Sequence, residues 1–199
     1  MVKVLGIGGS PRKGGNSDIL LKHVLIGAQN AGATTEEVQL RDYQFQPCIG
    51  CEKCRKAKQC IGLQDGMQLI YPKIIEAHGL VLISPTHQYN VTALMKAFID
   101  RLYCFYDFSD DRPGRWSSRL AGQNRKAIIV SIGEQASREE GTGFTLEAMR
   151  LPIEALGYKV IGELPVLGIF NKGMVQKHKQ VLESAENLGS QLARQLKST

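Results

Sequence analysis

Several things are missing from this 199-residue sequence, and each absence removes a class of protein. No apolar run approaches the roughly 20 residues needed to cross a bilayer, and no basic-then-apolar leader opens the chain. A cytoplasmic protein without a membrane partner is therefore expected. The net charge is +6, yet the Lys and Arg residues are scattered and no nucleic-acid-binding signature occurs. Nucleic acid is not an expected partner; a mild attraction to anionic ligands or acidic proteins is. No internal repeat, low-complexity tract or second-domain signal interrupts residues 1–199, so one domain of ordinary size is expected.

What is present is concentrated in two stretches. The first is Gly8-Gly9-Ser10-Pro11-Arg12-Lys13-Gly14-Gly15-Asn16-Ser17. It follows a short β-branched strand pattern over residues 2–7. It precedes a helical pattern carried by Ile19, Leu20, Leu21, Val24, Leu25 and Ala28. Glycines let backbone N–H groups turn toward one point. Ser10, Arg12, Asn16 and Ser17 add side-chain donors, and a helix starting near Asn16 or Ser17 aims its positive end at the same place. This is an anion site. The dinucleotide fingerprint fails because Pro11 holds its third glycine position. The magnesium-nucleotide loop fails because Gly15-Asn16 stands where Lys-Ser/Thr is needed. A single terminal phosphate, as in FMN, is what remains; an ordinary Gly-rich turn is the plainer alternative.

The second stretch is Cys48-x2-Cys51-x2-Cys54-x5-Cys60. Four thiolates so spaced can surround one point, as a 4Fe–4S cluster requires. A tetrahedral zinc site would use the same ligands, and free thiols in a folded loop are a third reading. Pro47 and Gly50 help the chain turn, and Lys53, Arg55, Lys56 and Lys58 would favour thiolate forms. Cys104 lies apart and is expected to be an ordinary partly buried thiol.

Between these landmarks, strands and helices alternate. Strands are expected at residues 34–40, 79–84, 126–132 and 159–164, and helices at 67–77, 91–103, 144–156 and 174–196, with Pro72 weakening or kinking the first. A cysteine-bearing loop occupies 42–65, and a long loop rich in aromatic and charged residues occupies 104–124. Five such alternations give an α/β fold, a doubly wound parallel sheet with helices on both faces.

Gly9-Ser10-Pro11-Arg12 with Gly15-Asn16-Ser17 resembles the phosphate loop of flavodoxin-like NAD(P)H-dependent FMN reductases. A second block is similar to that family's flavin-ring loop and following helix: Ser84-Pro85-Thr86-His87-Gln88-Tyr89-Asn90-Val91, then Leu94-Met95-Lys96-Ala97-Phe98-Ile99-Asp100-Arg101. In the flavodoxin-like five-stranded order 2-1-3-4-5, ligands bind at the switch point between the first and third strands. Both blocks fall there. The cysteine motif after the second strand, with Asp65-x-Met67 following it, resembles the iron–sulfur flavoproteins of anaerobic microbes. Gly66 departs from that pattern, since a second acidic residue is common there.

The resemblance implies FMN, with Pro85, Thr86, His87, Gln88, Tyr89 and Asn90 bordering its ring and the loop at Gly133 reaching the same face. Donors near the ring's N1–O2 edge would stabilise the reduced flavin's charge. His87 is either a proton relay or a histidine that shapes the loop; no catalytic residue in the strict sense is assigned. The implied activity is oxidoreduction between FMN and a small-molecule acceptor or a ferredoxin-like redox protein, with NAD(P)H as a possible donor. A non-catalytic phosphate-ligand or FMN-binding module is the rival class. A homodimer or dimer of dimers is implied. The aromatic segment of Tyr103, Phe105, Tyr106, Phe108 and Trp116, interleaved with Asp107, Asp110, Asp111, Arg112 and Arg115, would be a pocket wall, a subunit contact or a plain packed loop.

Overall fold

The computed structural model describes residues 1–111 and 114–198; Arg112 lies outside the described residues. In chain order the elements are β1 (Lys3–Gly8), α1 (Asn16–Asn30), β2 (Thr34–Gln39), α2 (Cys54–Ala57), α3 (Met67–Glu76), β3 (Gly79–Pro85) and α4 (Ala93–Arg101). Then come β4 (Tyr106–Phe108), β5 (Trp116–Ser118), β6 (Lys126–Ile132), α5 (Arg138–Thr142), α6 (Thr145–Ala155), β7 (Lys159–Val166) and α7 (Lys179–Lys197). The main sheet is five-stranded and parallel, in the order β2-β1-β3-β6-β7. Counting its strands alone, this is the expected 2-1-3-4-5 arrangement.

The three central strands, β1, β3 and β6, are apolar on both faces because helices cover both. Leu5, Ile7, Leu80, Leu82, Ala127 and Ile129 face one core with α3, α4 and α6. The intervening Val4, Val81, Ile83, Ile128 and Val130 face the other, with α1 and α7. This is the period-two alternation of a strand applied to a two-sided sheet. α1 and α7 approach closely enough that a Cβ on Gly189 would overlap the Val24 carbonyl. Among the described residues no helix is long and apolar enough to cross a membrane.

The structure departs from expectation in several places, among them the short helix α2 inside the segment expected as a loop. The 104–124 segment is not a plain loop: β4 and β5 pair as an antiparallel hairpin. Its aromatics hold it, with Tyr103 stacked on Phe108 at 4.8 Å between centroids and Trp116 edge-on to Tyr106 at 5.3 Å. α4 is shorter than the expected 91–103, because Thr92 caps it by accepting from the Met95 N–H and the chain tightens into a 3₁₀ turn at Leu102–Phe105. α7 starts later than expected, with a 3₁₀ turn at Met174–Lys177 before it. α5 was not foreseen; Ser137 caps it through the Glu140 N–H. Helix α3 forms where it was expected, with Pro72 inside it.

Candidate functional site

The sheet places the β1–α1, β3–α4 and β6–α5 connections side by side at the carboxyl ends of its three central strands. Ser10, Arg12, Asn16, Ser17, Pro85, Thr86, His87 and Gly133 line one cavity of about 210 Å³. Thr86, His87, Gln88 and Tyr89 continue into an adjoining polar cavity of about 420 Å³, shared with Glu134, Gln135 and Glu140. Asn90 lines neither. Its Oδ1 accepts from the Val91 N–H at 2.8 Å, and it faces an apolar groove outside.

The loop at 9–17, expected to hold a phosphate, is held from three sides. Gly9 donates to the Ile83 carbonyl at 2.8 Å, and the Thr92 hydroxyl donates to the Gly9 carbonyl at 2.6 Å. A Cβ on Gly9 would lie 2.9 Å from Met95, so the loop packs directly on α4. From β2's end, Arg41 forms a fork with Asp18 at 2.9 and 2.8 Å and donates to the Ser10 carbonyl at 3.1 Å. Asp18 in turn accepts from the Gly14 N–H at 2.7 Å. No protein acceptor among the described residues takes the backbone N–H groups of Ser10, Gly15, Asn16 or Ser17. Those donors, at an uncapped helix start, are what a phosphate needs.

Two predicted residues serve the cavity differently from expectation. The Asn16 amide donates to the Asn171 carbonyl at 2.9 Å, and its Oδ1 accepts from the Val175 N–H at 3.2 Å. Its side chain anchors the loop after β7, and its backbone N–H is the part left for a ligand. The Gly133 N–H is likewise engaged by the Val166 carbonyl at 2.9 Å; Gly133 is needed because a Cβ there would overlap the Gly141 carbonyl.

The anchored loop brings Ile169 and Phe170 to the cavity wall, which sequence reasoning missed. Arg12 lies over the Phe170 ring at 5.5 Å and donates to its carbonyl. The available signal was an apolar pair bracketed by Gly168 and Gly173, both with positive φ. Arg41 gave no signal.

The ring loop is a tight turn. His87 and Asn90 exchange backbone hydrogen bonds at 2.8 and 3.0 Å around Gln88 and Tyr89, whose φ values are 48° and 62°. This is a type I′ turn built from two side-chain-bearing residues, a conformation that favours Gly and Asn. Its N–H groups at Gln88 and Tyr89 find no protein acceptor among the described residues. The Tyr89 carbonyl accepts from the Phe144 N–H at 2.7 Å, which pins the turn to α6. The Thr86 hydroxyl is bonded to Thr145 at 3.1 Å.

The four cysteines of the motif line a separate cavity of about 350 Å³, with Arg101, Tyr103 and Cys104 on its inner wall. No residue lines both this cavity and the phosphate cavity. Cys48 and Cys51 are exposed, Cys54 and Cys60 half-buried. Among the described residues no three His, Cys, Asp or Glu side chains converge closely enough to hold a single ion. The thiols surround a space rather than a point. A four-iron cube is bulkier than one ion and holds its thiolates farther apart, so the donor set and the space suit it. A Cβ on Gly62 would lie 2.5 Å from the Cys51 sulfur, so the loop closes on that thiol. Burial pushes the Cys54 thiol up. Cys104, set apart in sequence, sits on the wall of this same cavity, where burial pushes its thiol up to about 12.

The hairpin braces this segment. Arg55 donates to the Ser109 carbonyl at 2.7 Å and lies over Phe108, Lys58 pairs with Asp107 at 2.5 Å, and Arg119 donates to the Lys58 carbonyl at 2.6 Å. None of Tyr103, Phe105, Tyr106, Phe108 or Trp116 lines either cavity at the ring loop. Tyr103 lines the cysteine cavity, and Tyr103 and Tyr106 line the outer groove.

The sequence profile of the NADPH-dependent FMN reductase family matches residues 2–169. This chain belongs to that family. An iron–sulfur flavoprotein of Methanocaldococcus jannaschii is 31% identical, the match covering 98% of each chain. Another, from Archaeoglobus fulgidus, is 31% identical over 99% of this chain and 81% of its own. These relatives place it in the family's iron–sulfur flavoprotein-like branch. Among solved structures, an NAD(P)H:quinone oxidoreductase from Methanothermobacter marburgensis superposes with a TM-score of 0.72 at 22% identity, covering 96% of this chain and 98% of that one. A flavone reductase does so with the same TM-score at 18% identity, covering 98% and 63%. At those identities the likeness bears on the fold, which is flavodoxin-like. Family membership makes the protein a flavin-dependent oxidoreductase with FMN as cofactor.

Proposed function

We propose that this chain, acting as one domain, passes electrons between a 4Fe–4S cluster on Cys48, Cys51, Cys54 and Cys60 and FMN held by the loops at 9–17 and 85–90. The observation that carries the reading is the gathering of all four thiols around one cavity, in a chain whose loops at 10–17 and 85–87 converge on another. When bound, such a cluster carries single electrons and FMN handles one or two, so the pair couples one-electron carriers to two-electron acceptors.

The chain's own groups have distinct tasks. The N–H groups of Ser10, Gly15, Asn16 and Ser17, with the Ser17 hydroxyl and Arg12, hold the phosphate. The turn at Gln88 and Tyr89 offers N–H donors to the ring edge, where negative charge collects on reduction. His87 shapes the junction of the two cavities. The polar cavity beside Glu134 and Gln135 receives the small acceptor.

A ferredoxin-like donor is the reading's protein partner, and it would dock on the basic residues around the cysteines. Arg55 and Lys58 are tied to the hairpin, whereas the exposed Lys53 and Lys56 are not and supply the patch. A homo-oligomer, dimer or tetramer, would cover the apolar groove between α4 and α6 that Tyr103, Tyr106 and Leu151 line. It would also bring a cysteine cavity toward a neighbour's flavin. A cytoplasmic location fits oxygen-sensitive chemistry of this kind.

A cluster-free NAD(P)H-dependent FMN or quinone reductase is the second reading, favoured by the exposure of Cys48 and Cys51. Anaerobic reconstitution separates the two. The first reading predicts about four irons and matching sulfide per chain, lost in Cys51→Ser. The second predicts iron-free protein whose flavin is bleached directly by NADH or NADPH in stopped flow.

A further inference from the structure

At the end of α4, Arg101 is the largest fully buried side chain in the structure, 2% exposed. A buried guanidinium is costly unless every N–H finds an acceptor. Here all five do. Nε donates to the Tyr71 hydroxyl at 3.2 Å. Nη1 donates to the Asp65 carboxylate at 2.6 Å and to the Gln46 carbonyl at 2.8 Å. Nη2 donates to the other Asp65 oxygen at 3.1 Å, and its remaining N–H meets the Cys60 sulfur at 3.5 Å. The Tyr71 hydroxyl donates back to the Arg101 carbonyl at 3.2 Å, so the side chain is fixed at both ends. Four of the five bonds close a polar knot beneath the cysteine segment. The fifth leaves the knot and points at a thiol that lines the cavity.

We propose that Arg101 is a positioning residue of the cysteine site, whose fifth N–H bonds the Cys60 sulfur and raises the reduction potential of the cluster held there. The inference rests on the cluster reading above. Reduction adds one electron to the cluster and makes or breaks no bond to Arg101; the guanidinium keeps all its protons. The more electron-rich state draws more from an N–H···S bond and from a nearby fixed cation, so both favour reduction. Asp65 acts in the opposite sense. It holds the fork in place and cancels most of the cation's field at longer range. A merely structural Arg101 would leave the potential untouched.

The test uses the full chain, reconstituted anaerobically, with iron counted and the cluster potential read by EPR-monitored redox titration. Arg101→Met alone would strand Asp65, so Arg101→Met/Asp65→Asn is the main variant; it removes both charges together. It should retain its iron and show a lower potential. A tenfold fall in the reduced-to-oxidised ratio at fixed potential corresponds to about 59 mV for one electron. Asp65→Asn, which leaves the cation unneutralised, should move the potential upward. If the double variant does not fold, Arg101→Lys carries the test. One ammonium cannot serve Asp65, Gln46, Tyr71 and Cys60 together, so the potential should again fall. A fully loaded variant whose potential coincides with wild type overturns the role of Arg101 alone. Wild-type protein that takes up no iron overturns the cluster reading, and this inference with it.

Discussion

The Asp18–Arg41 pair supports the phosphate loop from below, and removing it gives the most quantitative prediction. Asp18→Ala leaves the Arg41 guanidinium beside the Ser10 and Gln39 oxygens with only the exposed Asp42 carboxylate, 3.9 Å away, to offset its charge, and leaves the Gly14 N–H without its acceptor. The two side chains are 11% and 13% exposed. Breaking one partner of a buried pair costs about 3–5 kcal/mol, and partial exposure puts this one near the lower end, about 3 kcal/mol. For a chain of this length that is a fall in Tm of roughly 6–12 °C. The loop from 10 to 14 also loses its tie to β2, so FMN affinity should fall on the order of tenfold, about 1.4 kcal/mol. Calorimetry of the flavin-free protein reads the first effect and quenching of FMN fluorescence the second. Asp18→Asn, which keeps an acceptor for Gly14, should lose less of both. An Asp18→Ala protein within about 2 °C of wild type, with unchanged FMN affinity, would refute the bracing role.

Two further outcomes follow from single features. Gln88→Asn/Tyr89→Gly places the residues a type I′ turn favours at the ring loop and should stabilise the protein by on the order of 1 kcal/mol, read in urea unfolding, with the ring loop's backbone donors intact; a loss of stability would mean that the Gln88 and Tyr89 side chains matter more than their backbone strain. Burial alone would push the Asp65 carboxyl up, but donors from Arg101, Gln46 and Met67 outweigh it and hold the group below its ordinary 3.8. Its contribution is then present above that pH and is lost as pH falls through the lower folded value, so the stability gap between wild type and Asp65→Asn should be full at pH 6 and close in stronger acid; a gap that widens in acid would reverse the sign of this argument.

Much of the architecture was legible because it rests on patterns that repeat. A strand buried on both faces cannot hide its continuous apolar run, and residues 79–84 and 126–132 announced themselves that way. The phosphate loop was legible because its chemistry is local: glycines, donors and a helix start lie within ten residues. The hairpin at 106–118 was not, since its strands are three residues long and are held by aromatic contacts rather than by alternation. Long-range ties were also invisible. Nothing in the sequence says that Arg41 reaches Asp18, or that Asn16 engages the carbonyl of Asn171 155 residues away. Cys104 was read as remote because sequence distance was all there was. The turn from α4 into a 3₁₀ segment carries it to the cysteine cavity.

The central claim is that two independent sites share one chain, a flavin site on the sheet's carboxyl edge and a cluster site at the cysteine segment. The stoichiometry of FMN and iron in anaerobically prepared wild type, Ser10→Ala/Arg12→Ala and Cys51→Ser measures it directly. Since no residue lines both cavities, the loop variant should lose FMN and keep its iron, and the cysteine variant should lose iron and keep its FMN. Wild-type protein that binds neither, or variants that each lose both while remaining folded, would contradict the account.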